Sequence, residues 1–238
     1  MIAVLLSLCS RNQGWKSVDD IDFFKVFLRG FYNTISKEFN NKYIFYLGYD
    51  SDDEFIKGHL DTIKKRLHER DIIIELDAKI TSGNPCQAWN ILAKEALKNE
   101  DIKYFYQVGT DTLHMTPFWD KYFINIIEKN GGRGICGGVD KYYYLERCLQ
   151  DKPGIIENAF LTRNHILQFD GIFPKEYKNW FSDDWITDYY KQLDMCFITP
   201  YIYFYNTNRV LLQNQGDISK NRYEPDRRDR EDSKDSNI

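Results

Sequence analysis

The sequence predicts an α/β domain with a mostly parallel central sheet and helices on both faces. Short apolar runs alternate with segments in which apolar residues recur every three or four positions, and each run closes on a polar or glycine-bearing loop. No Gly/Ser linker or internal repeat breaks the alternation, so one domain is expected over residues 1–226, followed by a charged, disordered tail at 227–238. A chain of 238 residues can bury most of the apolar surface that its unfolded form exposes.

The first element is Ile2–Leu8, an apolar run of the kind covered on both faces, ending at Ser10-Arg11-Asn12-Gln13-Gly14. Asp19 and Asp20 then precede Phe23, Phe24, Phe27, Leu28, Phe31 and Ile35, whose spacing describes one helical face. Residues 43–47 give a second strand that ends in the polar stretch through Asp53, and Phe55, Ile56, Leu60, Ile63 and Leu67 follow at helical spacing. Residues 72–76 form the third strand. Gly83-Asn84-Pro85 leads into a helix through Ala88, Ile91, Leu92 and Leu97, with Pro85 suited to its first turn. A fourth strand at 104–108 ends in Gly109-Thr110-Asp111, and Thr116-Pro117 opens another capped helix. The pattern then loosens. Residues 134–139 read as a strand, 142–144 as a tyrosine-rich stretch, Asp183-Asp184 as a helix start and 196–205 as one or two late strands.

Hydrophobic residues make up 42% of the chain and aromatics 16%, which excludes disorder for all but the tail. A net charge of -4 argues against a nucleic-acid binder, which needs a basic face to displace counterions from phosphates. Cys9, Cys86, Cys136, Cys148 and Cys196 are odd in number and include no Cys-x-x-Cys pair; they read as reduced thiols of a cytosol-like compartment. The apolar start lacks a basic flank and is too short for a bilayer, so a cytoplasmic protein with no signal peptide or transmembrane segment is expected.

Ligands of open α/β sheets bind at the carboxyl ends of the strands, which points to the loops at 10–14, 50–53, 79–85 and 109–112. Asp111, delivered by the fourth strand, can ligate a hard divalent cation such as magnesium or manganese, whose remaining ligands are phosphate and water oxygens. It can equally be a turn or cap aspartate, and this motif alone does not separate the two. Trp180-Phe181-Ser182-Asp183-Asp184-Trp185 sets adjacent acids between tryptophans: the acids suit a helix start, with Asp183 as N-cap, or the acceptance of a hydroxyl proton. Trp180 and Trp185 offer apolar faces for a sugar ring. Ser10, Arg11 and Asn12 place donors near a base, ribose or diphosphate, Asp50 can accept from a ribose hydroxyl or uracil N–H, and Arg222 can neutralise a departing diphosphate. Each of these also has an ordinary loop role. Gly137-Gly138 marks a close backbone approach or a bulge. His165 reads as structural on a short helix, and His59, His68 and His114 as surface or capping residues without metal-ligand spacing.

Three stretches carry a family resemblance: 104–111, ending in Gly109-Thr110-Asp111; 157–165, Glu-Asn-Ala-Phe-Leu-Thr-Arg-Asn-His; and 173–186, from Phe173-Pro174 to Asp183-Asp184-Trp185-Ile186. Together with Asn221-Arg222-Tyr223-Glu224 they resemble a group of GT-A glycosyltransferases found in large DNA viruses and protists. The resemblance implies a single GT-A, Rossmann-like domain in a viral protein, located in the host cytoplasm. It also implies a nucleotide-sugar donor, UDP-linked by default, at the carboxyl edge of the first four strands, and Mn2+ or Mg2+ as cofactor. Asp111 matches the second acid of the family's acidic motif, while Thr110 stands where the first acid lies and cannot carry its charge. Asp184 matches the base of inverting members, with Asp183 beside it.

In that reading Ser7, Ser10, Arg11, Asn12, Asp50, Asn84, Thr110, Asp111 and Arg222 bind the donor, and Asp111 binds the metal. Asp184 and Asp183 are catalytic, and Trp180, Trp185 and Gly138 line the side of a glycan or glycoprotein acceptor. Thr110 motivates the alternative of a catalytically degenerate nucleotide-sugar or carbohydrate-binding module on the same fold. A nucleotidyltransferase is a third reading, weakened by the single glycine in 10–14, where that chemistry wants a glycine-rich basic loop.

Overall fold

Ile2, Val4, Leu6 and Leu8 face one side of the first strand while Ala3 and Leu5 face the other, and all six are buried. This strand, β1 (Ile2–Leu8), is the centre of the parallel half of an eight-stranded sheet. The computed structural model describes residues 1–39, 42–149, 154–179 and 181–207; Trp180, Arg222 and the 227–238 tail lie outside them. The elements that follow are α1 (Leu28–Thr34), β2 (Tyr43–Asp50), α2 (Glu54–Gly58), α3 (Leu60–Arg66), β3 (Ile72–Leu76), α4 (Ala78–Thr81) and α5 (Pro85–Leu97). Then come β4 (Tyr104–Gln107), β5 (Thr112–His114), α6 (Trp119–Lys129), β6 (Ile135–Asp140) and α7 (Lys141–Leu149). The described chain finishes with β7 (Phe160–Thr162), α8 (Arg163–Phe169), α9 (Ser182–Lys191) and β8 (Cys196–Asn206).

The strand order is β3-β2-β1-β4-β7-β6-β8-β5. β3, β2, β1 and β4 are mutually parallel, β7 is antiparallel to β4 and β6, β8 is parallel to β6, and β5 closes the row antiparallel to β8. The protein is thus one α/β domain with a mostly parallel sheet. One face carries Phe23, Phe27 and Phe31, stacked at 5.9 and 5.2 Å, together with Ile56, Ile63 and the α6 residues Trp119, Phe123 and Ile127. The other carries Leu92, Ala93 and Ala96 of α5, Ile166 of α8, and Ile186 and Tyr190 of α9. Burying these side chains on both faces is the main force that holds the layers together. No helix among the described residues is long and apolar enough to cross a membrane.

Several local expectations are corrected. The Phe23–Ile35 face begins as a π-helical turn, Phe23–Phe27, before α1. Residues 79–81, expected in a loop, belong to α4, which Asp77 caps through Lys79 N. Thr116 does not cap α6; its hydroxyl accepts from Tyr203 N at 3.0 Å, and Phe118, at φ 61°, precedes the helix instead. The tyrosine-rich residues 142–144 are helical within α7, and 196–205 lie in one strand, β8, within the one or two expected. His114 is not a surface residue: burial among Phe27, Phe31 and Trp119 pulls its imidazole down to about 3, and Nε2 lies 2.9 Å from Tyr106 OH. His165 is structural as expected, bonded to Tyr190 OH at 2.7 Å and Ile172 O at 2.9 Å.

Candidate functional site

The topology gathers strand ends at one edge. β1, β2, β3 and β4 all finish there because they are parallel. β7 runs against β4 and against β6, so β6 and its parallel neighbour β8 finish at the same edge. This is the edge at which open α/β sheets bind ligands.

After β1 and β2 the predicted donor-side residues meet one another. Arg11 Nη1 stands 2.5 Å from Asp50 Oδ2, and Nη2 pairs with Asp52. Asp50 Oδ1 accepts from Thr81 Oγ1 of α4, so its carboxylate ties three segments together. Partial burial works against the charge of Arg11, but the hydrogen bond and charge of Asp50, with Cys9 and Asp52, hold the guanidinium well above its ordinary value. Ser10 gives its N–H and hydroxyl to Asp53 at 2.8 and 2.6 Å, and Asp53 also caps α2 through Ile56 N. Ser7 is half-buried opposite Gly48. Asn12 is exposed at φ 61°, a left-handed conformation that Asn tolerates better than most residues. Asn84 caps α5 through Gln87 N. The polar groups of Ser10, Arg11, Asp50 and Asn84 therefore shape the loops among themselves.

After β4, Thr110 and Asp111 are 2% and 6% exposed. The Asp111 carbonyl accepts from both N and Oγ1 of Thr207, each at 3.0 Å, which pins the loop to the end of β8. Gln107, also buried, is locked to Ala159 of the segment before β7. Gly138 lies where the β6–β8 register shifts; a Cβ there would come 2.4 Å from Ile202 O, so the residue is required by the close approach of the two backbones.

The first turn of α9 lies on the other sheet face, against the start of α5. Cys86 N, at the start of α5, donates to Lys178 O at 3.1 Å. Burial pushes the Cys86 thiol up to about 12, a hydrogen bond with Ser182 works the other way, and the Asp183 carboxylate adds to the rise. Asp183 thus lies beside the α5 N-terminus, which Asn84 caps and Thr81 joins to Asp50. Asp183 is not the N-cap: Phe181, at φ 63°, precedes Ser182, and both acids sit in the first turn, with Asp184 N donating to Asp183 Oδ1 at 3.1 Å. Asp184 is half-buried, and its charge contributes to raising the Tyr177 hydroxyl behind burial and Glu176. Trp185 packs among Phe169, Tyr177 and Tyr189 at ring distances of 5.4 to 5.9 Å.

No group of three or more His, Cys, Asp or Glu that could hold a metal exists among the described residues. A divalent cation bound beside Asp111 would take one carboxylate from the protein there and its other oxygens from a ligand's phosphates and water. Two buried polar residues escaped sequence reasoning. Asp140 ends β6 with 2% exposure, and Asn90 of α5 holds the segment leading to α9 by three hydrogen bonds of 2.8 to 3.0 Å to Ile172 and Phe173. Asp140 had one usable signal, an acid closing an apolar strand; Asn90 had none.

No protein-family model matches the chain, and no curated protein matches it. Solved structures share its fold. The mannosyltransferase PcManGT from Pyrobaculum calidifontis, in complex with GDP-Man and Mn2+, superposes with a TM-score of 0.57 at 12% identity, over 86% of this chain and 56% of that one. S. aureus TarS 1–349 in complex with UDP gives 0.53 at 11%, over 86% of this chain and 59% of that one. The 4-diphosphocytidyl-2C-methyl-D-erythritol synthase of Anaerococcus prevotii gives 0.52 at 10%, over 90% of this chain and 94% of that one. The chain spans less than two thirds of the length of the first two. The likeness is one of fold, the GT-A and nucleotidyltransferase arrangement, and bears out the expected fold class.

Proposed function

We propose that the protein is a glycosyltransferase that moves a sugar from a nucleoside diphosphate, UDP by default, to an acceptor hydroxyl. What supports this reading is that the Asp111 loop follows the carboxyl end of β4, while the α9 turn bearing Asp183 and Asp184 lies beside the N-terminus of α5. The comparisons support it through neighbours that hold a nucleoside diphosphate or a nucleotide sugar, one of them with Mn2+.

In this reading Asp184 accepts the proton of the acceptor hydroxyl as that oxygen attacks the anomeric carbon, with Asp183 beside it. The bond from the anomeric carbon to the diphosphate breaks, and configuration inverts in a single displacement. Asp111 and the donor's phosphates would hold the divalent cation, which supplies Lewis-acid neutralisation of the departing diphosphate. Ser7, Ser10, Arg11, Asn12, Asp50, Asn84 and Thr110 form the donor side, where Asp50 and Thr81 set the direction of Arg11. Trp185 and Gly138 belong to the acceptor side, together with Trp180, and Arg222 completes the donor side. The chain acts in the cytoplasm on a glycan or glycoprotein acceptor.

A binding module without turnover is favoured by one observation, the buried, uncharged Thr110 in the place of the acidic motif's first acid. A thermal-shift screen of UDP- and GDP-sugars with and without Mn2+, followed by assay of the stabilising donor for transfer and hydrolysis, decides between them, because a ligand of the native state alone raises its stability. Mn2+-dependent stabilisation with turnover is expected. Stabilisation without turnover establishes the binding module, and pyrophosphate release from a nucleoside triphosphate plus sugar phosphate establishes a nucleotidyltransferase.

A further inference from the structure

A buried acid that the transferase reading leaves without a task stands at the end of β6. Asp140 is 2% exposed and divides its carboxylate between two elements: Oδ1 accepts from Tyr143 N in the first turn of α7 at 3.0 Å, and Oδ2 from Asn206 N at the end of β8 at 2.9 Å. Asn206 is the cross-strand partner of Thr112, and the next residue, Thr207, gives its N–H and its hydroxyl to the Asp111 carbonyl. A short run of hydrogen bonds and one strand pairing therefore joins the Asp140 carboxylate to the main chain at the Asp111 carbonyl and Thr112.

The residue type fits that task. Capping α7 needs only the bond to Tyr143 N. The bond to Asn206 is additional, and a carboxylate offers one acceptor oxygen in each direction. Asparagine would turn its amide N–H2 toward one of the two donors. The task also matters more here than in a site with two acids. With threonine at 110, the direction of one carboxylate on one loop sets the protein's share of the cation's coordination, and groups that orient such ligands govern affinity.

We propose that Asp140 is a positioning residue: through Asn206 and Thr207 it fixes the loop from which Asp111 meets a cation-bound nucleoside diphosphate. This rests on the transferase reading, so its test has one arm that needs no ligand. In the full chain, Asp140→Asn and Thr207→Val, which keeps the backbone N–H and removes the hydroxyl, are compared with wild type by amide hydrogen exchange across residues 109–114. Binding of UDP and GDP is then measured with Mn2+ and without it.

Both variants are expected to speed exchange at 109–112. Each should weaken Mn2+-dependent nucleotide binding by about 10- to 100-fold, the range typical for loss of a group that orients a metal ligand. Higher Mn2+ should partly restore that binding, while metal-free binding changes little. Thr207→Val leaves α7 untouched, so it reads the link to Asp111 even where Asp140→Asn lowers stability. Unchanged exchange at 109–112 overturns the proposal whatever the ligand data, as does faster exchange with unaltered Mn2+-dependent binding. Wild-type protein that binds neither nucleotide with Mn2+ overturns the transferase reading itself, and the exchange arm then still decides whether Asp140 holds the Asp111 loop.

Discussion

Arg11 reaches from the loop after β1 to Asp50 at the end of β2, Nη1 to Oδ2 at 2.5 Å, and turns two predicted ligand-binding side chains into partners of each other. The pair is unequal: the Asp50 side chain is 10% exposed and the Arg11 side chain 35%. Removing the acid takes a charged partner from both the Thr81 hydroxyl, which keeps Asp77 O, and the guanidinium, which keeps Asp52, whereas removing the arginine leaves Asp50 with Thr81. Asp50→Ala is therefore expected to cost about 1.5–3 kcal/mol, typical of losing hydrogen bonds to a charged group, and Arg11→Ala less, because a half-exposed ion pair is screened by solvent. Urea denaturation of both variants checks the order.

Asn90 makes a second, independent prediction. Its Oδ1 accepts from Ile172 N and Phe173 N at 2.8 and 3.0 Å, and its Nδ2 donates to Phe173 O at 2.8 Å, so the α5 side chain stands in for a missing turn. Asn90→Ala leaves three polar groups without their partner in a buried place, and a loss of about 3 kcal/mol or more is expected at roughly 1 kcal/mol or more for each. Chemical denaturation measures it, and proteolysis at 171–179 should accelerate in step.

The two buried histidines make stability depend on pH. Burial lowers His114 to about 3 and His165 to about 4, the latter partly offset by its bond to Ile172 O. Both are neutral in the fold at pH 7, whereas the unfolded chain protonates them below about 6.5. The unfolded state then binds more protons, so stability falls as pH drops below about 6.5, by up to roughly 1.4 kcal/mol per pH unit for each histidine, and levels off below the folded values. Denaturation midpoints at pH 7, 6 and 5 should show the decline. His114→Gln, though less stable at pH 7, should show a shallower one.

The parallel half of the fold was legible because it obeys a period. In β1 the alternate residues Val4 and Leu5 go to opposite cores, and α5 keeps Pro85 at its first turn. β5 and β7 were not legible: Thr112–His114 and Phe160–Thr162 are three residues each, too short to show alternation, and pairing with distant strands alone makes them strands. The burial of His114 follows from that same non-local pairing. Among the candidate site residues, Asp111 and the two acids of α9 could be singled out because each stands where a strand ends or a helix begins. The partners of Arg11 and Asp50 could not, because loop-to-loop contacts carry no periodic signal. Asp140 fell between the two: its position was readable, but its tie to Asn206 depends on a strand register that no spacing reveals.

The central claim is tested most directly by the initial rate of sugar transfer or donor hydrolysis with Mn2+ for wild type and Asp184→Asn, each at a donor concentration that saturates it. The account predicts that the variant still binds donor and loses about 10²- to 10⁴-fold in rate, the usual contribution of a positioned base. An Asp184→Asn protein that turns over as fast as wild type would contradict it.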